Sequence, residues 1–315
     1  VVAAMEKYHQ SAGVQELGCR KLFSLASDSD SDDDNGVAVD EVDGIKAVVS
    51  AMRRHRDSAA VQEWACAALH NLFVDNDINH RAAIVESGGL EAVVMTIRRH
   101  VESANVQEHA CEALVCLTGN NDENNAAVAK AGGIEAVLAA IWRHENVSGV
   151  QKVACEALGI LSINDDNATA IGKAGGIKAI VSMMSKHIYA ASVQEYACFA
   201  LANLAYENDG NRVAFFKSGG IDAVLMAMRL HHYSADLQEV ALMALSELVQ
   251  NDDCRAPNVN AGAIKAAVSA MQRHKDSAVV QESACGALHN LAHNDDNQIG
   301  IAKAGGIDAV VSAMQ

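Results

Sequence analysis

VQEYACFALANLAYENDGN, residues 193–211, is written several times over in this chain: VQEWACAALHNLFVDND starts at 61, VQEHACEALVCLTGNND at 106 and VQESACGALHNLAHNDD at 280. Each copy holds a cysteine and ends in an Asn/Asp cluster, and histidines lie near most of them. The copies are either separate chemical sites or the grammar of one structural repeat. A second landmark decides between them. Glycines fall at Gly44, Gly89, Gly133, Gly176, Gly220 and Gly306, most of them closing a Gly-Gly pair, while Gly262 and Ala263 replace the pair in the sixth unit. The step is 43 to 45 residues, and the VQE word keeps the same beat from Val14 to Val280. A fixed period of this size marks stacked repeats. The chain therefore reads as one array of about seven units over 1–315, not as two domains.

Each unit divides into three segments. The first, NATAIGKAGG (167–176), offers Asn167 as an N-cap and a glycine pair as a helix stop. In the second, IKAIVSMMSKH (177–187), Ile177, Ile180, Val181 and Met184 recur at i, i+3, i+4 and i+7, the face of a helix. The third, VQEYACFALANLA (193–205), makes a similar stripe from Val193, Ala197, Ala200, Leu201 and Leu204. Ser192, like Ser58, Ser103 and Ser277, stands where this helix needs its N-cap. The pattern predicts a short helix, a helix and a longer helix per unit. No unit can bury its apolar stripe alone, so neighbours must stack into a continuous core.

This three-helix unit resembles the armadillo repeat across essentially the whole chain. The matching words are N-x-x-x-I-x-K-A-G-G-I for the first helix and V-Q-E-x-A-C-x-A-L-x-N-L-A for the third. The two-helix HEAT repeat lacks the short segment closed by Gly-Gly. The resemblance implies an all-α fold, a right-handed α-α superhelix or solenoid of armadillo-type repeats. Lys178, Asp222 and Lys265 stand where the family often has proline. The chain opens VVAAM and closes VVSAM, both inside a second helix, so a piece of a longer array is expected. Residues 27–34 (SDSDSDDD) read as a solvated acidic loop, out of register with a calcium-binding EF-hand loop.

Composition narrows the function classes. A formal charge of −16 opposes binding to nucleic acid phosphates and favours basic partners. No run of about 18 apolar residues predicts a membrane span. Eight cysteines in 315 residues are too sparse for a disulfide scaffold, which suggests reduced thiols and a cytoplasmic or nuclear location. Cys19, Cys66, Cys111, Cys155, Cys198 and Cys285 share one register position that Leu242 fills in the sixth unit, so a buried apolar site is expected. His55, His100, His144, His187, His231 and His274 each end a second helix. Rungs a repeat apart cannot reach one ion, so these histidines are expected to act as cations at the negative end of the helix dipole. The clusters at 121–124, 164–167, 208–211 and 294–297 read as caps and turns. No G-x-S-x-G, P-loop, H-E-x-x-H or Cys-x-x-Cys motif is present, so neither catalysis, a cofactor nor a metal site is expected.

The armadillo resemblance further implies that third helices line a concave groove where extended peptides lie. The groove positions are the third, sixth, tenth and thirteenth after the V of VQE, one helical face. The family's peptide binders carry a Trp four residues before a groove Asn. That Asn survives as Asn71, Asn203 and Asn290, but no Trp occupies the partner position, and only Phe199 with Asn203 approximates the pair. Candidate partner-binding residues are Trp64, Asn71, His109, Glu112, Glu156, Tyr196, Phe199, Asn203, Tyr206, Glu247 and Asn290. The alternative for Tyr196 and Phe199 is packing on the neighbouring helix. The expected function is a non-enzymatic scaffold or adaptor that holds an extended basic or amphipathic protein segment. The alternatives are a structural array acting by self-association through uncapped ends or by lateral packing and, more weakly, an importin-alpha-like transport adaptor.

Overall fold

The computed structural model describes residues 1–27, 41–73, 78–119, 121–250 and 257–314. All but one residue of the expected acidic loop, together with Cys254, lie outside the described residues. The chain divides into two compact units, Val1–Ala157 and Leu158–Gln315. Every described element is an α-helix.

The first unit holds α1 (Val2–Lys7), α2 (Ala12–Ser27), α3 (Glu41–Arg54), α4 (Ala59–Asn71), α5 (Ile78–Glu86), α6 (Gly89–Arg99), α7 (Ala104–Thr118), α8 (Asp122–Lys130), α9 (Gly133–Arg143) and most of α10 (Ser148–Leu161). The second unit begins within α10 and continues through α11 (Asp165–Lys173), α12 (Gly176–Lys186), α13 (Ala191–Ala205), α14 (Asp209–Lys217), α15 (Gly220–Leu230), α16 (Ala235–Leu248), α17 (Pro257–Arg273), α18 (Ala278–Leu291), α19 (Asp295–Lys303) and α20 (Gly306–Ala313). From α5 to α16 short, middle and long helices alternate as the sequence predicts. The long helices pack on one another, α2 on α4 on α7 in the first unit and α13 on α16 on α18 in the second. Their contact stripe is small: Ala65, Ala110, Ala197, Ala241 and Ala284 are all fully buried. Side chains of that size allow helix axes to approach to about 8 Å.

Cap chemistry differs from the sequence reading in two places. The cap of α11 is Asn164, whose side chain accepts from the Asn167 amide, so Asn167 lies inside the helix. Asn121, Asn208 and Asn294 cap α8, α14 and α19 in the same way. Ser58, Ser103 and Ser277 cap α4, α7 and α18 as expected, but α13 starts after Ala190 and Ser192 is already helical.

The glycine pair works as a joint rather than a stop. Gly88, Gly132, Gly175, Gly219 and Gly305 take φ of 77–83°, a left-handed conformation that suits glycine. The second glycine opens the next helix. A Cβ on Gly176 would fall 2.9 Å from the Ile171 carbonyl oxygen, and the other second glycines are equally crowded. Two repeats lack the pair, with Asp43-Gly44 and Gly262-Ala263 in its place. In both the helix runs straight through, as α3 and as the 17-residue α17. Asp43 cannot readily take the left-handed turn, and Ala263 brings the Cβ that the turn has no room for.

A further contact holds each repeat together. The Gln of the VQE word is buried in six copies and half-buried in the last, Gln281, and its Nε2 donates to two carbonyls of the second helix and its cap. Gln107, for example, reaches Ile97 and His100, each at 2.9 Å. Gln15, Gln62, Gln151, Gln194, Gln238 and Gln281 repeat the clamp. It satisfies carbonyls that a helix end leaves orphaned.

The cysteine ladder is core. Cys19, Cys66, Cys111, Cys155 and Cys198 are fully buried, as is Leu242, and Cys285 is partly so. Burial pushes the thiols of Cys19, Cys111 and Cys198 up to about 12, which keeps them protonated. The histidine ladder makes a contact that the dipole reading did not include. His100, His144 and His231 cap their helices, yet each also donates Nε2–H, at 2.8 Å, to a backbone carbonyl of the preceding repeat: those of Arg56, Val101 and Ile188. His55 and His274 do the same to His9 and His232. The bond ties the end of each of these second helices to the repeat before it.

Candidate functional site

In the first unit the long-helix face is a patchwork of paired side chains. Trp64 on α4 meets Phe23 of α2 edge-on, with ring centroids 5.7 Å apart. The Arg20 guanidinium lies 5.1 Å from the Trp64 centroid, a cation–π contact. Asn71 donates to the Phe23 carbonyl at 3.3 Å. On α7, His109 Nδ1 donates to Glu112 at 3.0 Å. That bond holds His109 above the usual histidine range, against the pull of its partial burial. Burial pushes Glu112 up, but the bond and charge of His109 outweigh it and leave the carboxyl below its ordinary value. His70 Nδ1 sits 3.1 Å from Cys116 Sγ. Burial, with the charges of Glu156 and Glu112, pushes that thiol to about 11.

In the second unit Phe199 is half-buried over Gly159 of α10, where a Cβ would stand 2.5 Å from the ring. Asn203 donates to the Gly159 carbonyl at 3.0 Å, and Asn290 to the Ser246 hydroxyl at 2.8 Å. All three groove asparagines therefore commit an amide proton to the long helix before them, joining repeats. Phe199 packs on its neighbour, the alternative weighed from the sequence. Glu247 is committed as well. Arg212, nearly buried, reaches it at 2.9 Å and Asp209 at 3.0 Å. Tyr196 is half-buried, while Tyr206, the C-cap of α13, is 58% exposed.

One cleft of about 430 Å³ opens between α13, α16 and α18. It brings together Asn203, Tyr206 and Glu247 from the predicted set with Glu239, Met243, Val279 and Glu282. Tyr196, Phe199 and Asn290 do not line it, and Trp64, Asn71, His109, Glu112 and Glu156 belong to the first unit. Met243 and Val279 are 41% and 46% exposed, so together with Tyr206 they leave an open apolar surface. Glu239 and Glu282 form no ion pair among the described residues. Sequence reasoning missed both, although a signal was present: the E of VQE recurs as Glu16, Glu63, Glu108, Glu195, Glu239 and Glu282, broken only by Lys152. No group of three His, Cys, Asp or Glu side chains among the described residues could hold a metal ion. No described helix is long and apolar enough to cross a membrane.

Comparison with known proteins places this geometry. No curated protein matches the sequence. Among solved structures, a crystal structure of an engineered protein from the Northeast Structural Genomics Consortium superposes with a TM-score of 0.79 at 25% identity, covering 98% of this chain and 71% of the other. A chain from a study of a phosphorylation switch controlling the interaction between cadherin and β-catenin gives 0.76 at 18% identity, over 99% of this chain and 56% of that one. A designed armadillo repeat protein in complex with the peptide (KR)4 gives 0.62 at 18% identity, over 78% and 99%. A family model described as the LRRK2 ARM repeat matches residues 84–263, more than half of the sequence. The fold is thus the armadillo solenoid predicted from the glycine and VQE landmarks, and the chain belongs to the armadillo-repeat family described as the LRRK2 ARM repeat.

Proposed function

We propose that this chain is a non-enzymatic binding scaffold, and that the cleft between α13, α16 and α18 holds an extended basic peptide bearing an apolar side chain. One observation carries the reading: exposed Tyr206, Met243 and Val279 gather beside the carboxylates of Glu239 and Glu282, which form no ion pair among the described residues. Apolar and aromatic groups in a cleft supply affinity, and rim charges select the partner's sign. The (KR)4 complex of the designed armadillo protein supports a basic occupant in this fold.

Fluorescence anisotropy of labelled (KR)4 with the full chain tests the reading. Replacing Glu239→Gln and Glu282→Gln together should weaken binding about tenfold, two rim pairs at up to about 1 kcal/mol each. Tyr206→Ala should weaken it independently. Unchanged affinity in both variants would sink the proposal. Phe199→Ala and Asn203→Ala are poorer probes, since both side chains also hold α13 to α10.

A second reading, self-association, has one observation in its favour. Ile307, Val311 and Met314 lie at i, i+4 and i+7 along α20 and its cap and are 60%, 50% and 82% exposed. Light scattering that gives a concentration-independent monomer mass would exclude it.

A further inference from the structure

The second helices carry their own grooves, and one of them has lost its counter-ions. In the first unit the groove between α3 and α6 contains Arg53, Arg56 and Arg99. Its cations have partners. Arg99 pairs with Asp57, with Nε 2.6 Å from Oδ1. Arg53 donates to the Ser87 carbonyl at 3.1 Å, beside the Glu91 carboxylate at Gly88.

In the second unit the corresponding groove, between α15 and α17, has a cavity of about 550 Å³. Repeat register sets each residue against its counterpart. Arg229 stands for Arg53 and Arg273 for Arg99, but Lys265 replaces Glu91 and Tyr233 replaces Asp57. The position of Ser87 is taken by Ala261, whose carbonyl lies inside the continuous α17. Each partner of the regular groove is therefore gone. Arg273 instead stacks on Tyr233 at 5.1 Å, and Tyr233 is 78% exposed. Among the described residues no carboxylate lines this groove. Its floor is apolar: Leu225, Met228, Ala266 and Ala270.

We propose that this groove docks an acidic peptide segment of a partner protein, with an aliphatic side chain of the segment seated on the Leu225–Met228 floor and its carboxylates on Arg229, Lys265 and Arg273. A chain with a net charge of −16 repels such a partner everywhere except where its cations are concentrated. A bare anion would leave the apolar floor uncovered, whereas an acidic-aliphatic segment covers both. Exposed Tyr233, apolar with a polar tip, suits the rim of such a site. The groove is distinct from the acidic cleft: Gln238 of α16 lines one and its neighbour Glu239 the other.

The test uses the full chain and labelled peptides EELEEL and EEGEEG, read by anisotropy at low salt. EELEEL should bind saturably, and EEGEEG about tenfold more weakly because it buries no leucine. Lys265→Glu should cost about tenfold, since it turns an attraction into a repulsion. It should leave (KR)4 binding unchanged, which separates this groove from the proposed function. The substitution is compatible with the fold, because Glu91 and Glu135 occupy the same register. Lys265→Ala, which adds no charge, should give a smaller loss. The proposal is overturned if EELEEL does not bind, if Lys265→Glu binds it equally, or if EEGEEG binds as tightly. It is also overturned if the chain sediments with phosphatidylserine vesicles while ignoring EELEEL.

Discussion

Replacing either of two buried glutamines by leucine puts the clamp to a quantitative test. Gln62 and Gln107 sit at the same register, both 1% exposed. Each donates to two carbonyls, Met52 and His55 for one, Ile97 and His100 for the other, at 2.9–3.0 Å. The His55 and His100 carbonyls keep a second donor, the amides of Ser58 and Ser103, so losing the clamp costs each about 1 kcal/mol. The Met52 and Ile97 carbonyls lose a buried partner, at about 1–3 kcal/mol. On those bonds alone the two substitutions cost the same. The other end of the amide separates them. Thr96 donates to Gln62 Oε1, whereas Gln107 Oε1 is buried with no partner among the described residues. Gln62→Leu therefore loses one further bond, while Gln107→Leu removes an acceptor that was already unsatisfied. Gln62→Leu should be the more destabilising by about 2 kcal/mol. Urea unfolding followed by circular dichroism, with hydrogen exchange of the α3–α4 and α6–α7 amides, measures the difference. Equal costs, or Gln107→Leu the costlier, would refute the reasoning from Oε1, and losses under about 1 kcal/mol in both variants would refute the clamp as a source of stability.

Two further outcomes follow from local geometry. Gly176→Ala should cost about 1–3 kcal/mol in thermal unfolding, because the added Cβ meets the Ile171 side chain and carbonyl; Ala263→Gly, inside a continuous helix, should cost only about 1 kcal/mol. Similar losses at both positions would contradict the joint mechanism. For the His109–Glu112 pair the sign differs at each end of the pH range. His109 is held above its ordinary 6.5, so its contribution is complete below that pH and is lost as pH rises through the folded value. Glu112 is held below its ordinary 4.5, so its contribution is present above that pH and is lost as pH falls through the folded value. The stability gap between wild type and Glu112→Gln should peak between pH 4.5 and 6.5; a gap that is flat with pH would show that the pair does not couple to folding.

The fold was legible because its signals repeat. Ile177, Ile180, Val181 and Met184 gave a helix face by period alone, and the Leu242 substitution exposed the cysteine position as apolar core. What escaped were partners that spacing does not reveal. The inter-repeat bond of His100 was missed because its acceptor, the Arg56 carbonyl, lies 44 residues away in sequence. The VQE glutamine was read past, although it stands in all seven copies. Asn203 and Glu247 line one cleft, but Gly159 and Arg212 engage them, and no single-helix pattern shows that. Glu239 and Glu282 were missed for the opposite reason: being repeated, they looked structural.

Charge in this fold is separated by position within each repeat. The clamp turns the VQE glutamine inward, so the residue after it must point sideways, and there the chain keeps glutamate. The second helices end in Arg53 and Arg54, Arg98 and Arg99, Arg143, Lys186 and Arg229, where cations meet the negative helix end. Regular repeats cancel part of this across the stack, as Arg99 does with Asp57 and Arg143 with Glu102. Solvent screens exposed pairs of that kind, so they add little stability and can be lost at small cost to the fold. A repeat that loses them gains an unbalanced surface instead. The unit around α15 to α18 does so in its cationic groove, where among the described residues no carboxylate lines the wall beside Arg229 and Lys265. Binding is therefore expected where a repeat departs from its own pattern, as at Tyr233 and Lys265, and also where a repeated residue such as Glu239 or Glu282 stands beside an exposed apolar cluster.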